Sequence, residues 1–209
     1  EEEDDDFAKT FATSGANPVV TEYEKLIQRL LVPFLDAVNA VGGDVRKQGA
    51  HVARAFGAQR EMLEEVSERV KPESEEEMVV MLQETHEALR EIDDINHTAD
   101  ELRKHTAMVA GAMTALGWVT TQEPKQYIGD MLNAVPVYGR QILQDYKSPE
   151  HTALVDCLKY LLRGLQEYVG TYHPGGLTWN TKNVPRENYE ASPNTKAGGG
   201  GACLARWTR

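Results

Sequence analysis

Cysteine is nearly absent from this 209-residue chain, which has only Cys157 and Cys203. Two cysteines cannot build the dense disulfide framework of a small secreted scaffold. Basic residues are in the minority, 22 Lys and Arg against 33 Asp and Glu, for a formal charge of −11. That deficit argues against nucleic acid as a partner, because broad phosphate-backbone binding needs a basic surface to displace counterions. It argues equally against docking on an anionic membrane surface, where clustered Lys and Arg act. No uninterrupted apolar run approaches the roughly 20 residues that span a bilayer. Neither an initiator Met nor a signal peptide opens the chain at Glu1, so the expectation is a piece of a cytosolic protein.

What is present is globular in composition, 41% hydrophobic and 26% charged. The charge is unevenly spread. Residues 1–17 carry six acids and one Lys, residues 181–209 five basic and two acidic groups, and 18–180 the remaining 16 basic and 25 acidic ones. The run Glu1 to Asp6 repels itself, and Pro185, Pro193 and the glycines Gly198 to Gly201 have the composition of a linker. No Lys-Ser or Lys-Thr follows those glycines, so they do not form a phosphate-cradling loop. The expected organisation is an acidic flexible tail over 1–17, a folded unit over 18–180 and a second flexible tail over 181–209.

Within 18–180 apolar residues recur every three or four positions, the helical period. Val20, Tyr23, Ile27, Leu30, Phe34 and Val38 form a first stripe, in which Pro33 predicts a kink or break. Gly42-Gly43 ends it, and Asp44 is the expected N-cap of a second helix carrying Val45, Val52, Phe56, Leu63, Val66 and Val70. Ser74 and Glu77 read as a capping box ahead of Met78, Met81, Leu82, Leu89 and Ile92. A fourth stripe holds Leu102, Val109, Met113 and Leu116, with Gly117 as its predicted stop. Pro124 opens a fifth, with Ile128, Met131, Leu132, Val135, Tyr138, Ile142 and Tyr146, and Pro136 predicts a kink inside it. Ser148-Pro149 reads as a cap and first turn for a sixth, Leu154 to Tyr172, ended by Pro174-Gly175-Gly176. Period-two strands with Asn-Gly or Asp-Gly turns are missing. The fold class is therefore all-α, an antiparallel six-helix bundle.

Motifs for chemistry are scarce. His86 starts a zinc-protease-like pattern, but Arg90 stands where the second His belongs. His97 and His105, eight apart, have no carboxylate at ligand spacing, so the histidines read as surface or helix-end residues. Fifteen acids fall between Glu61 and Glu101, without the spacing of a calcium loop, and read as a solvated face or an acidic docking surface. Cys157 reads as a small, buried apolar group. Neither a cofactor, a metal nor a catalytic set is expected. Trp118 and Trp179 are expected to close the bundle ends. The fifth helix stands out, because Lys125, Arg140 and Lys147 accompany Tyr127, Tyr138 and Tyr146 there, and such residues favour interface anchors.

An ordered set of landmarks runs along the same region: Gly42-Gly43-Asp44-Val45, Ala115-Leu116-Gly117-Trp118-Val119, Pro124-Lys125, Tyr127-Ile128-Gly129-Asp130-Met131, Tyr138, Asp145-Tyr146-Lys147, Tyr172-His173 and Gly176-Leu177-Thr178-Trp179. In these the chain resembles the N-terminal helical domain of cyclase-associated proteins. The resemblance implies a non-enzymatic, cytoplasmic, cytoskeleton-associated domain that engages cofilin-bound actin and promotes filament disassembly. It also implies self-association to a homodimer. The alternative it leaves open is a dimerising scaffold that tethers partners, adenylyl cyclase among them, without acting on filaments. Carried over by position, the actin- and cofilin-binding candidates are Lys125, Tyr127, Asp130, Met131, Tyr138, Arg140 and Lys147. Arg140 departs from the family pattern, whose basic residue falls one position later, at Gln141.

Overall fold

The computed structural model describes residues 17–180, so expectations for 1–16 and 181–209, Cys203 among them, fall outside the described residues. Among the described residues, six helices form an all-helical bundle. α1 has three parts in one continuous rod, Pro18–Leu26, a π-helical stretch Ile27–Leu31, and Val32–Val41. α2 is Gly43–Glu68, α3 Glu75–Thr98 and α4 Arg103–Met113, which tightens into a 3₁₀ segment Thr114–Thr120. α5 is Pro124–Asp145 and α6 Pro149–Tyr172. Each helix packs on its sequence neighbours, and α6 returns against α1 to close the ring.

The core is the set of apolar stripes read from the sequence, turned inward. Tyr23, Ile27, Leu31, Phe34, Phe56, Leu63, Ile92, Val109, Ile128, Leu158 and Leu165 are fully or almost fully buried. Two close approaches set the spacing of the rods. A Cβ on Gly49 of α2 would lie 2.6 Å from Val38 of α1, and one on Gly139 of α5 would lie 2.9 Å from Val155 of α6.

Several boundaries differ from the sequence expectation for identifiable reasons. Pro33 does not break α1, because the π-helical stretch just before it absorbs the missing donor and the ring clash. Asp44 is not the N-cap of α2. Gly42 holds that place with φ of 77°, a left-handed conformation suited to glycine, while Asp44 sits in the first turn and accepts from Lys47 at 2.8 Å. Gly117 does not stop α4, because the chain winds on to Thr120 in tighter 3₁₀ turns. Val70 lies beyond α2 and is exposed rather than part of its stripe. Ser74 caps α3 as expected, its Oγ accepting from the Glu77 N–H at 3.2 Å. Helix α5 runs through Pro136 without interruption, and Tyr146 falls just outside it as the C-cap residue. Ser148 occupies the N-cap position of α6, but its side chain does not bond the first turn as a cap.

Candidate functional site

The fifth helix divides the seven candidate residues among different surroundings. Tyr127, Met131 and Tyr138, four and seven positions apart, share the flank of α5 that faces α4 and the 3₁₀ segment. Tyr127 donates its hydroxyl to the Thr114 carbonyl at 3.1 Å, and its partial burial raises the phenol pKa. Met131 Sδ accepts from Thr114 Oγ1 at 2.9 Å. Thr114 thus pins both residues, while Tyr138, further along, stays exposed.

Lys125 lies on the other side, where α6 packs. Its aliphatic stem covers Gly170, whose Cβ would come within 3.0 Å of it, and its carbonyl accepts from Gln166 Nε2 at 3.0 Å. Lys147, past the end of α5, donates to the Leu143 carbonyl at 3.1 Å and so satisfies an orphan acceptor at the negative end of the helix. The two lysines therefore bracket α5, about 30 Å apart at ~1.5 Å per helical residue. Asp130 and Arg140 are exposed on the helix between them. Val137 joins them there with half of its surface exposed, 50%. No single contact patch holds all seven; they line one long face and its two edges.

The acidic stretch sorts into two classes. Glu84, Glu87 and Glu91 of α3 fan around Arg54 of α2, the shortest contact being 2.7 Å to Glu91, which also meets His51 at 2.7 Å. These acids hold α2 to α3 and are not simply solvated. On the opposite edge of α2, Arg60 bonds Glu24 of α1 through two guanidinium nitrogens at 3.0 and 2.7 Å and reaches Glu64 as well, with both arginine and Glu24 largely buried.

The histidines depart furthest from the sequence expectation of surface or helix-end positions. His105 and His173 are both fully buried, not at the surface. His105 Nε2 and His151 Nδ1 share a hydrogen bond of 2.8 Å, with the Tyr146 ring against both imidazoles. Burial, reinforced by the neighbouring His151, lowers the His105 pKa to about 4, with Asp145 opposing. His173 accepts from the Thr178 N–H at its Nδ1 (3.2 Å), so its Nε2 carries the proton and faces the Tyr168 hydroxyl, 3.4 Å away. Tyr168 in turn donates to the Val19 carbonyl at 3.1 Å. Burial lowers the His173 pKa to about 4 as well. The relay fastens Gly176-Leu177-Thr178 to the start of α1, and Trp118 stacks on His173 beneath it. Partners 46 residues apart leave no local signal in the sequence, whereas the buried position of His105 one turn before Val109 does.

Cys157 is half-buried, and burial together with Asp156 and Asp36 pushes its thiol up, away from a reactive thiolate. Among the described residues no group of three or more His, Cys, Asp or Glu is placed to hold a metal ion, and no helix is long and apolar enough to cross a membrane.

Compared with known proteins, residues 23–177 match the family model described as CAP, N-terminal domain. The chain belongs to that family. Among similar CAP relatives, mouse adenylyl cyclase-associated protein 2 is 31% identical over 171 residues, which are 79% of this chain and 36% of the relative. Human adenylyl cyclase-associated protein 1 is 24% identical over 198 residues, 92% of this chain and 42% of the relative. The chain thus spans about a third to two fifths of the length of the curated CAP relatives it matches. The N-terminal domain of CAP from Dictyostelium discoideum superposes with a TM-score of 0.73 at 21% identity, over 78% of this chain and 95% of that one. A second CAP N-terminal domain, described as showing variable oligomerisation, gives 0.74 at 20% identity, over 80% and 92%. At those identities the two structures establish the CAP helical bundle as the fold.

Proposed function

We propose that the chain is an actin-regulatory binding module that carries out no covalent chemistry, engages cofilin-bound actin and promotes filament disassembly and monomer recycling at the cytoplasmic actin cytoskeleton. The observation that carries this reading is membership of the CAP N-terminal domain family across 23–177. The unit that acts is 18–180. Its contact face is α5, with Tyr138 and Val137 supplying apolar area and Lys125, Arg140 and Lys147 meeting acidic surface. Mechanistically, the module binds a terminal cofilin-decorated subunit better than the same subunit inside a filament. Only such a difference in affinity shifts the equilibrium toward release. The test is pointed-end shortening of single cofilin-decorated filaments with and without the purified domain. An unchanged rate with folded protein rejects the reading.

The second reading is a self-associating scaffold that tethers partners, adenylyl cyclase included, and leaves filaments alone. It is favoured by the variable oligomerisation described for a neighbour of the same fold and by the name its relatives share. Sedimentation over a concentration series separates the two, since the scaffold requires a dimer and the actin module does not.

A further inference from the structure

Three serines fall among the described residues, and two of them are tied to backbone. Ser67 Oγ donates to the Glu64 carbonyl at 2.6 Å inside α2, and Ser74 Oγ caps α3. Ser148 is different. It stands exposed on the connection between α5 and α6, in extended backbone with φ of −78° and ψ of 152°. Although it occupies the N-cap position of α6, its side chain makes no capping bond. Its hydroxyl instead meets the Glu150 carboxylate, whose pKa it lowers.

Pro149 follows directly, and Lys147, Ser148, Pro149 and Glu150 are all exposed. Presenting this stretch to an enzyme breaks few bonds. The first N–H groups of a helix have no partner within it, and Pro149 has no N–H at all. Only the first turn of α6 has to open, and Thr152 and Ala153 beyond it are exposed too.

We propose that Ser148 is a phosphorylation site for a proline-directed protein kinase, and that its phosphate weakens the contact with cofilin-bound actin at Lys147. The modification stands without the actin reading, whereas its effect on the contact rests on that reading. Proline directly after the acceptor residue is what such kinases select, so the exposed dipeptide, not the helix end, defines the site. Ser148 Oγ attacks the γ-phosphorus of ATP held with Mg²⁺ in the kinase. A new O–P bond forms as the bond to the β–γ bridging oxygen breaks. ADP leaves, and the hydroxyl proton passes to the kinase's catalytic aspartate.

The helix end decides what the phosphate then meets. It carries about −1.5 to −2 charge at pH 7 and sits at the positive end of α6, within reach of the Glu150 and His151 N–H groups. The Glu150 carboxylate is repelled, but it is exposed and free to swing away. Lys147, which donates to the Leu143 carbonyl, gains a dianionic neighbour. The lysine-bearing corner that would meet acidic surface thereby turns from positive to negative.

The test uses the full 209-residue chain. A second Ser-Pro, Ser192-Pro193, lies outside the described residues, so Ser192→Ala serves as the background. Folded chain is incubated with a purified cyclin-dependent kinase and Mg·ATP, and phosphates are mapped by mass spectrometry. One phosphate at Ser148 is expected, with none in Ser148→Ala. No incorporation, a phosphate elsewhere, or incorporation only into heat-denatured chain overturns the site.

The phosphorylated chain should keep its thermal transition, while its affinity for cofilin–actin falls by about fivefold or more. Equal affinities overturn the effect on the contact. Loss of the transition also overturns it, since the phosphate would then act by breaking the fold. If the unmodified chain does not bind at all, the actin reading fails and the effect on the contact with it, while the mapped phosphate keeps the site.

Discussion

Trp118 donates its indole N–H to Gln59 Oε1 at 2.9 Å, in a site from which water is excluded. The same oxygen accepts from the Tyr23 hydroxyl at 3.2 Å, and Gln59 Nε2 donates to the Leu116 carbonyl at 2.9 Å. One buried amide thus joins α1, α2 and the 3₁₀ segment, and it explains why a polar residue sits in the core stripe of α2. Replacing Gln59 with Leu leaves an indole N–H, a phenol and a carbonyl buried without partners. Each such group costs ~1–3 kcal/mol, so the variant should lose about 3 kcal/mol or more. Urea denaturation followed by tryptophan fluorescence measures it, and a loss under about 1 kcal/mol would mean the network relaxes around the change.

Acid should weaken the fold through His105 and His173. Both fold with pKa values held to about 4, chiefly by burial. In the unfolded chain they titrate at about 6.5. A base whose folded pKa is depressed contributes stability that is complete above the unfolded value and is lost as pH falls toward the folded one. Stability should therefore fall between roughly pH 6.5 and 4, with each histidine contributing on the order of 3 kcal/mol. Asp145 facing His105 reduces its share. In His105→Gln the slope of unfolding free energy against pH should drop by close to one proton over that window. An unchanged slope would show that His105 does not titrate with folding.

The two arginine sites should behave differently. Glu24 and Arg60 are largely buried, and Arg60→Met leaves the Glu24 carboxylate without its partner, at a cost of about 3 kcal/mol or more. The double variant Glu24→Leu, Arg60→Met should recover most of that, because burying a pair costs desolvation that apolar residues avoid. Arg54 is over a third exposed, so Arg54→Ala should cost about 1 kcal/mol or less despite its three carboxylate neighbours. Thermal melts of the four proteins decide it.

Gly49 and Gly111 are both helical and should respond oppositely to alanine. At Gly49 the new methyl meets Val38 at 2.6 Å, and prising α1 from α2 should cost ~1–3 kcal/mol. Gly111 opens onto empty space, so Gly111→Ala should stabilise by up to about 1 kcal/mol through helix propensity. Matching effects at the two sites would contradict the packing between α1 and α2.

For the proposed actin contact, reversing Lys125 and Lys147 together to Glu should weaken binding to cofilin–actin by tenfold or more in a fluorescence titration. Stability should change by about 1 kcal/mol or less, since both lysines are exposed and their contacts with Gly170 and the Leu143 carbonyl are at the surface. Reversing the three acids Glu75 to Glu77 to Lys serves as the control. An equal loss there would move the contact to the acidic face.

Tyr127, Met131 and Tyr138 could be assigned to one flank from spacing alone, because residues four and seven apart share a helix face. That flank's partner, Thr114, could not be assigned, since its position depends on the 3₁₀ segment that continues past the expected stop at Gly117. Lys125 and Lys147 read as one patch with Arg140 in the sequence, yet the length of α5 separates them. An open groove between α3, α4 and α5 had a weak local signal, in that Ala107, Ala110 and Gly111 of its lining are small residues at helical spacing. Its other wall, from α3 and Tyr138, had none.

The sequence by itself determined the number of helices, their inward faces and the Ser74 cap of α3, because apolar period, proline and capping side chains act over a turn or two of chain. It also placed the acids, and the net charge of −11 argued against nucleic acid and an anionic membrane surface as partners. Only the tertiary structure decided which acids face Arg54 between α2 and α3, and which histidines are buried as neutral bases. Those outcomes depend on distances between helices, and burial and pairing are properties of a packed neighbourhood rather than of a position along the chain.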